Sequence, residues 1–466
     1  MLRRQTLVPA ILIIASAFAE VACGGRPAAA DAGCSGTWLR LDTATAPPAR
    51  CGSAAIYDPV RDRVVVFGGK DGATWSNQVW VLNLSGTPDW SLLTPGGVLP
   101  SVRAFHSATY DPLRDRMVVM GGTSDAGTGL NDIWALSLAG NGAWTRLYAQ
   151  ANDTPALTGH RAVYDVPRDR MVTVFGYEPV RGYDSGVWTF SPLGADVGSW
   201  SNQWFAGPHG RTGPGAALDA ARERVLMFGG YYRGLQNHFL SNIYLKDAWW
   251  LDLHTSEWVA LQSAPPLPRG VYGPSAIVDA ARDRVVLFGG SDDSGASADV
   301  LALALTNGTA WEALSPGGAA PPPRGSHSAV YDSRRDRMVV FGGCSGTAAL
   351  NDTWILAWPG CATVGVPQNA RGELPLLSGA RVRPLPAAGA AMVDFALGRG
   401  AYVELQVFDL AGRRVYASAP ARTASGPGQL VWDPSPDTRS GIYHYVLTVR
   451  DGTDRARASG VIVRTR

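Results

Sequence analysis

Residues 57–69 read YDPVRDRVVVFGG, and five later stretches repeat them: YDPLRDRMVVMGG (110–122), YDVPRDRMVTVFGY (164–177), LDAARERVLMFGG (218–230), VDAARDRVVLFGG (278–290) and YDSRRDRMVVFGG (331–343). Their first glycines fall at 68, 121, 176, 229, 289 and 342, at spacings of 53 to 60 residues. Self-similarity at a fixed period of this length marks a chain built by repeating one supersecondary unit. In the second copy an inner strand at His106–Tyr110 enters a turn, and an apolar run after Arg116 ends in Gly121 and Gly122. A third run carries Ile133 and Trp134, and a fourth begins at Trp144. Four strands per unit predict the blades of a propeller.

Composition agrees with an all-β chain. The 466 residues include 55 Gly and 32 Pro, well above ordinary usage, which supplies turns between short strands. Lys occurs twice and Glu seven times, whereas Trp and Tyr number 16 and 15, so strong helix formers are scarce and strand formers plentiful. The formal net charge is +2, and the 41 basic residues form no block of five or six. That spacing gives no polyanion-binding arm and excludes nucleic acid as an expected partner.

The fourth-strand tryptophans decide how the repeat closes. Trp90, Trp144, Trp200, Trp258 and Trp311 each precede the next unit's first glycine by 29 to 32 residues, and Trp38 precedes Gly68 by 30. The run Thr37–Leu41 is therefore a fourth strand without a unit of its own, and the sixth unit, ending near Trp358, lacks one. Pairing the two predicts a six-bladed ring over 35–361 closed by the N-terminal strand. Closure also orders the cysteines. The third strand's end and the fourth strand's start share one face, which brings Cys34 to Cys361. The second strand's end and the approach to the next unit's first strand share the other, which brings Cys51 to Cys344. Two disulfides across the seam are expected.

The double glycine after a β-run, the paired downstream tryptophans and Arg-x-x-His-Ser-Ala (Arg103 with His106, Arg324 with His327) resemble kelch repeats. The resemblance spans about residues 35–360 and implies a kelch β-propeller, in the grouping that includes galactose-oxidase-like propellers. The third unit departs with Gly176-Tyr177 for the glycine pair, and the fifth with Leu301 for Trp. Galactose oxidase needs copper held by two Tyr and two His, with a Cys-crosslinked Tyr; here the mature cysteines belong to the seam and the seven histidines lack paired ligand spacing. No catalytic residue, metal or cofactor is expected. The histidines at repeat-equivalent positions, His106, His160 and His327, read as structural. The repeated Arg-Asp-Arg turns read as solvated turns with local ion pairing.

One face is less repetitive. The distance from glycine pair to third strand is 11 or 12 residues in five units but 19 between Gly230 and Trp249. The extra loop, 231–247, carries Tyr231, Tyr232, Arg233, His238, Phe239 and Tyr244, and long aromatic loops on rigid scaffolds are where binding resides. Trp204 and Tyr183 stand beside it in sequence, and Arg103, Arg211, Arg269 and Arg324 approach inner strands from the same side. Together they make candidate ligand-binding residues for a glycan or a peptide. The alternative is that the aromatics pack loops and the arginines cap strand ends.

The termini carry addresses. Residues 1–22 have Arg3-Arg4, an apolar run from Leu7 to Phe18 and small residues, the layout of a signal peptide. Two endings compete: Ala17-Phe18-Ala19 fits a peptidase site, while Val21-Ala22-Cys23-Gly24 resembles a bacterial lipoprotein box with lipidation at Cys23, although Glu20 replaces its usual Leu. No other run is long enough to span a bilayer. Residues 362–386 read as a linker and 387–466 as a small antiparallel sandwich. Phe408-Asp409, Gly412-Arg413, Trp432-Asp433, Gly441 and Tyr443 resemble the Ig-like C-terminal domain of type IX secretion cargo, and that of the flagellar hook-capping protein. This resemblance implies outer-membrane secretion machinery as a partner and a bacterial protein that is secreted or attached at the cell surface. The leading expectation is an exported binding protein. An extracellular carbohydrate-active enzyme, an oxidase or sugar isomerase, and a purely structural surface protein are the alternatives.

Overall fold

The computed structural model describes residues 34–147, 155–179, 181–192, 198–203, 207–236, 239–261, 266–306, 310–359, 361, 377–384, 390–409, 413–434, 438, 441–452 and 454–464. These residues are almost wholly strand and turn, with one 3-10 turn at Ala220–Arg222. Each of the first five repeats folds into four antiparallel strands in sequence order, such as Ala54–Asp58, Arg63–Phe67, Val79–Asn83 and Asp89–Leu93, with Gly96–Gly97 added in parallel to the outer strand of the second. The sixth sheet takes its outer strand from the chain start, Thr37–Arg40 pairing with Thr353–Ala357 so that Trp38 faces Leu356. The inner strands Ala54–Asp58, Ser107–Asp111, Arg161–Asp165, Gly215–Asp219, Ser275–Asp279 and Ser328–Asp332 contact one another in that cyclic order, the last touching the first.

Backbone hydrogen bonds follow the same circuit. Gly52 donates to Ser326, Phe105 to Gly52, Gly159 to Phe105, Gly213 to Gly159, Gly273 to Gly213 and Ser326 to Gly273, at 2.7–2.9 Å. All six residues have φ between 53° and 66°, the left-handed region where Gly costs least, and Phe105 and Ser326 adopt it without that freedom. A second circuit runs from the closing glycine of each unit to the next: Gly69 to Arg103, Gly122 to Leu157, Gly176 to Arg211, Gly230 to Val271, Gly290 to Arg324 and Gly343 to Arg50. This fixes the register of the third unit. Its Gly176 matches Gly122, and Phe175, at φ 59°, occupies the first-glycine place that the sequence pattern had assigned to Gly176.

Between neighbouring sheets the core is aromatic. Trp38 packs on Phe288, Trp90 on Phe341, Trp144 on Phe67, Trp258 on Phe175 and Trp311 on Phe228, with ring centroids 4.9–5.2 Å apart. Each is a fourth-strand Trp against a Phe at or just past the end of the preceding unit's second strand, and Trp38 plays that part for the sixth.

The Arg-Asp-Arg turns are more than solvated turns. Arg61 bonds its own buried Asp58 and reaches Asp115 of the next unit; Arg114 joins Asp111 to Asp169, Arg168 joins Asp165 to Glu223, and Arg222 joins Asp219 to Asp283. Arg282 then joins Asp279 to Asp336, and Arg335 joins Asp332 to Asp62, completing a belt of ion pairs between units. The receiving acid is in the left-handed conformation in every unit, with φ 46–54°, which short polar side chains tolerate. Local reading of one turn misses the belt because half of each bridge lies in the next repeat.

Disulfides join Cys34 to Cys361 and Cys51 to Cys344, with Cα atoms 5.7 and 5.3 Å apart. The second occupies a place that recurs at other seams, where Thr123 bonds Thr158 at 2.6 Å and Tyr231 meets Tyr272 at 5.9 Å.

The C-terminal residues form two further sheets. Leu377–Pro384, Ala391–Leu397 and Gly426–Trp432 make one; Arg414–Ala417, Ala401–Phe408, Gly441–Asp451 and Asp454–Arg464 make the other, with Ala421–Thr423 pairing on Ala401–Phe408. Alternating residues of both, including Val393, Phe395, Val403, Leu405, Trp432, Tyr443 and Leu447, share one core. Leu377–Pro384 lies inside the stretch expected to be linker; its Gly and Pro content hid a strand that pairs with Ala391–Leu397. The signal segment and Cys23 lie outside the described residues.

Candidate functional site

The second and third strands of each unit are joined on the glycine-pair face, and the long connection of the fourth unit is a hairpin, Tyr231–Gln236 with Phe239–Tyr244. Its first residue sits at the seam with unit five, because Tyr231 bridges Thr212 and meets Tyr272. The shorter hairpin of unit three, Tyr177–Glu178 with Gly182–Tyr183, lies alongside. A continuous aromatic patch results. Tyr183 contacts Tyr177 at 5.1 Å, Tyr231 at 6.1 Å and Tyr232 at 6.3 Å, and His209 stacks on Tyr232 at 4.0 Å. Tyr231 also touches Tyr244 at 5.3 Å.

The tyrosine rings are half-buried, and His209 and Arg233 are exposed beside them. Burial pushes the Tyr183 phenol up to about 12, and burial with the neighbouring Asp293 does the same for Tyr244. Both hydroxyls therefore stay protonated near neutrality, as donors and acceptors over an apolar face. The tip adds Leu235 opposite Leu240, both exposed. His238 and Trp204 lie outside the described residues, and Phe239 is placed only as a backbone position in the hairpin.

The arginines expected to line this mouth are engaged elsewhere. Arg103 is fully buried; it donates to the Gly121 carbonyl and bidentately to Asp132, whose other face accepts from the Trp134 indole at 2.7 Å. Arg211 with Asp247 and Trp249, and Arg324 with Asp352 and Trp354, repeat the triad. For Asp352, burial works to raise the carboxyl, but the Arg324 and Trp354 hydrogen bonds and the Arg324 charge together outweigh it, leaving the group below its usual range. These residues tie the glycine face to the third strand and offer no free group to a ligand. Arg269 is not their equivalent: the place belongs to Val271, and Arg269 instead pairs with Asp292 at 2.6 Å. Unit five thus has Val271 and Leu301 in the places of the triad's Arg and Trp.

At the axis the inner strands enclose a cavity of about 170 Å³, into which residues of all six units project. His160 and His327 border it, donating or accepting through Nε2 with Ser107 at 2.8 Å and Ser275 at 2.7 Å. Burial holds both imidazoles down to about 3, so neither is charged near pH 7. Tyr272 lines this cavity and also touches Tyr231, so it connects the axis with the aromatic patch. Tyr272 and Arg161 escaped sequence reading because neither lies in the long loop; only strict superposition of the repeats isolates them. Among the described residues no group of three or more His, Cys, Asp or Glu is arranged to hold a metal ion.

The description of the KLHDC2/KLHL20/DRC7 Kelch-repeats domain matches residues 34–230 and 215–373. The chain belongs to the kelch-repeat family. The kelch region is 29% identical over 292 residues to Adagio-like protein 1 of Oryza sativa subsp. japonica, covering 58% of this chain and 44% of that protein. It is 28% identical over 284 residues to Multiple epidermal growth factor-like domains protein 8 of Mus musculus, covering 59% of this chain and 9% of that one. The similarity thus spans less than half the length of either relative. The solved structure described as "Structure of YjhT" aligns with a TM-score of 0.51 at 15% identity, over 69% of this chain and 99% of that one, a likeness of fold. Among the described residues, no helix is long and apolar enough to cross a membrane.

Proposed function

We propose that this kelch protein is a non-catalytic binding module, a six-bladed ring closed at the Cys51–Cys344 and Cys34–Cys361 seam, that takes an extracellular glycan or peptide on the hairpin face of units three to five. The observation that carries the reading is the patch of Tyr177, Tyr183, Tyr231, Tyr232 and Tyr244, half-buried and continuous across the seam between units three and four. Stacking faces with hydroxyl rims suit sugar rings and extended peptides alike. Export fits the N-terminal signal pattern and the two disulfides, which persist outside the cytosol. The C-terminal pair of sheets serves as an Ig-like sorting module read by outer-membrane secretion machinery, placing the protein in the medium or on the bacterial surface.

Catalysis is disfavoured by the state of the groups at the axis. His160 and His327 are neutral and committed to serines, and the arginine triads are closed. The test is binding of the full chain to an immobilised panel of neutral and acidic polysaccharides and of peptides, beside the Tyr183→Ala/Tyr232→Ala variant. Saturable binding weakened tenfold or more in the variant supports the site. Binding unchanged in the variant, or none in either, removes it.

A further inference from the structure

In each unit one residue opens the inner strand by pairing with the last residue of the second strand: Ala54, Ser107, Arg161, Gly215, Ser275 and Ser328. Five are small and neutral, so the fold does not require a long side chain here. The third unit nevertheless places a guanidinium at the wall of the axial cavity. Arg161 donates weakly to the His160 carbonyl at 3.4 Å, and among the described residues it has no carboxylate within ion-pairing distance. Every other inner arginine described above, at 103, 211 and 324, is met by a bidentate aspartate.

Its surroundings make that isolation informative. The charge of Arg161 reaches Tyr272 and His327 on the fifth and sixth units, so it is felt across the cavity rather than at an outer surface. Burial lowers its own pKa, the sign of a cation poorly compensated by its setting. Arg161 is half-buried, and a charge partly withdrawn from water without a counter-charge is costly unless a ligand supplies one. The groups around it are neutral: His106, His160 and His327 are all held uncharged by burial, and Tyr272 keeps its proton. The wall also carries the hydroxyls of Ser107 and Ser275.

We propose that the axial cavity is a binding site for a small monocarboxylate, gripped by the Arg161 guanidinium. The planar fork matches a carboxylate with two parallel hydrogen bonds, and a cavity of about 170 Å³ admits a compact acid. One cation without a second favours a monoanion over a phosphate dianion. The site meets the tyrosine patch only through Tyr272 and does not use the rings of Tyr183 or Tyr232.

The experiment is calorimetric titration of the full chain with sodium lactate and sodium acetate at fixed ionic strength, with chloride and inorganic phosphate as the other arms. Arg161→Ser is the chosen variant because Ser fills this place in three other units and the ring is built to accept it. Saturable lactate or acetate binding, weakened at least tenfold by Arg161→Ser and unaffected by Tyr183→Ala/Tyr232→Ala, is expected. Absence of saturable binding, equal binding by Arg161→Ser, or tighter binding of phosphate or chloride overturns the proposal. A second measurement needs no variant: lactate should shield Arg161, and not the exposed Arg233, from phenylglyoxal in peptide mapping. Equal labelling of Arg161 with and without lactate overturns it as well.

Discussion

Replacing Arg282 with Ala cuts the ion-pair belt where it is most deeply buried. The Arg282 and Asp279 side chains are 4% and 0% exposed. Arg282 makes two bonds to Asp279 at 3.0 and 3.1 Å and two to Asp336 at 3.0 and 2.5 Å, and lies 5.2 Å from the Trp358 ring. Removing it leaves Asp279 buried, with Arg284 at 2.9 Å as its remaining cation. Breaking a buried pair from one side costs about 3–5 kcal/mol, and the surviving Arg284 bond sets the expectation near 3. The matched control is Glu223→Ala, whose bond to Arg168 is short at 2.6 Å but whose side chain is 48% exposed, for an expected cost of about 0–1 kcal/mol. Urea denaturation followed by tryptophan fluorescence compares the two. An Arg282→Ala midpoint within about 1 kcal/mol of wild type would show that the belt is surface decoration and refute the burial reasoning.

Converting Cys51 and Cys344 together to Thr, the pair that fills the equivalent seam as Thr123 and Thr158, should keep the fold and lower stability by about 2–4 kcal/mol; identical denaturation midpoints with and without the disulfide would contradict this. His160 and His327 bind a proton near 6.5 when unfolded but only near 3 when folded. Their stability is therefore complete above pH 6.5 and declines toward pH 3, by up to about 1.4 kcal/mol per pH unit for each. A His160→Gln variant should show a shallower slope between pH 6 and 4, and an unchanged slope would count against burial of a neutral ring. Gly213 has φ 60°, and a Cβ there would strike the Tyr272 ring, whereas Gly72, at φ 51°, has open space. Gly213→Ala should therefore destabilise more than Gly72→Ala, whose backbone cost is about 1–2 kcal/mol; equal melting shifts would deny the close approach.

The all-β kelch repeats were legible because their signals are local and repeated. An apolar run ending in glycine and a Trp at fixed spacing each report one strand, and counting them assigns Thr37–Arg40 to the sixth sheet. What escaped depends on neighbours in space. Phe175 can stand in a left-handed place because the Gly176 to Arg211 bond holds the turn, so counting glycines slipped the third unit by one. Arg269 was grouped with Arg103 by proximity to the strand, whereas backbone register gives that place to Val271. The arginine triads hid because Asp132, Asp247 and Asp352 lie 29, 36 and 28 residues downstream of their partners, with no fixed spacing to read. In the C-terminal module, Leu377–Pro384 hid behind a turn-like composition, while the alternation of Val403, Leu405 and Val407 declared its strand plainly.

That units three to five carry the ligand is tested most directly by hydrogen–deuterium exchange on the full chain, with and without saturating amounts of the tightest-binding glycan or peptide from the panel. Slowed exchange concentrated in Tyr177–Tyr183 and Tyr231–Tyr244 is the predicted result. Slowed exchange on the Arg-Asp-Arg turns or in the C-terminal sheets, with these two hairpins unchanged, would contradict it.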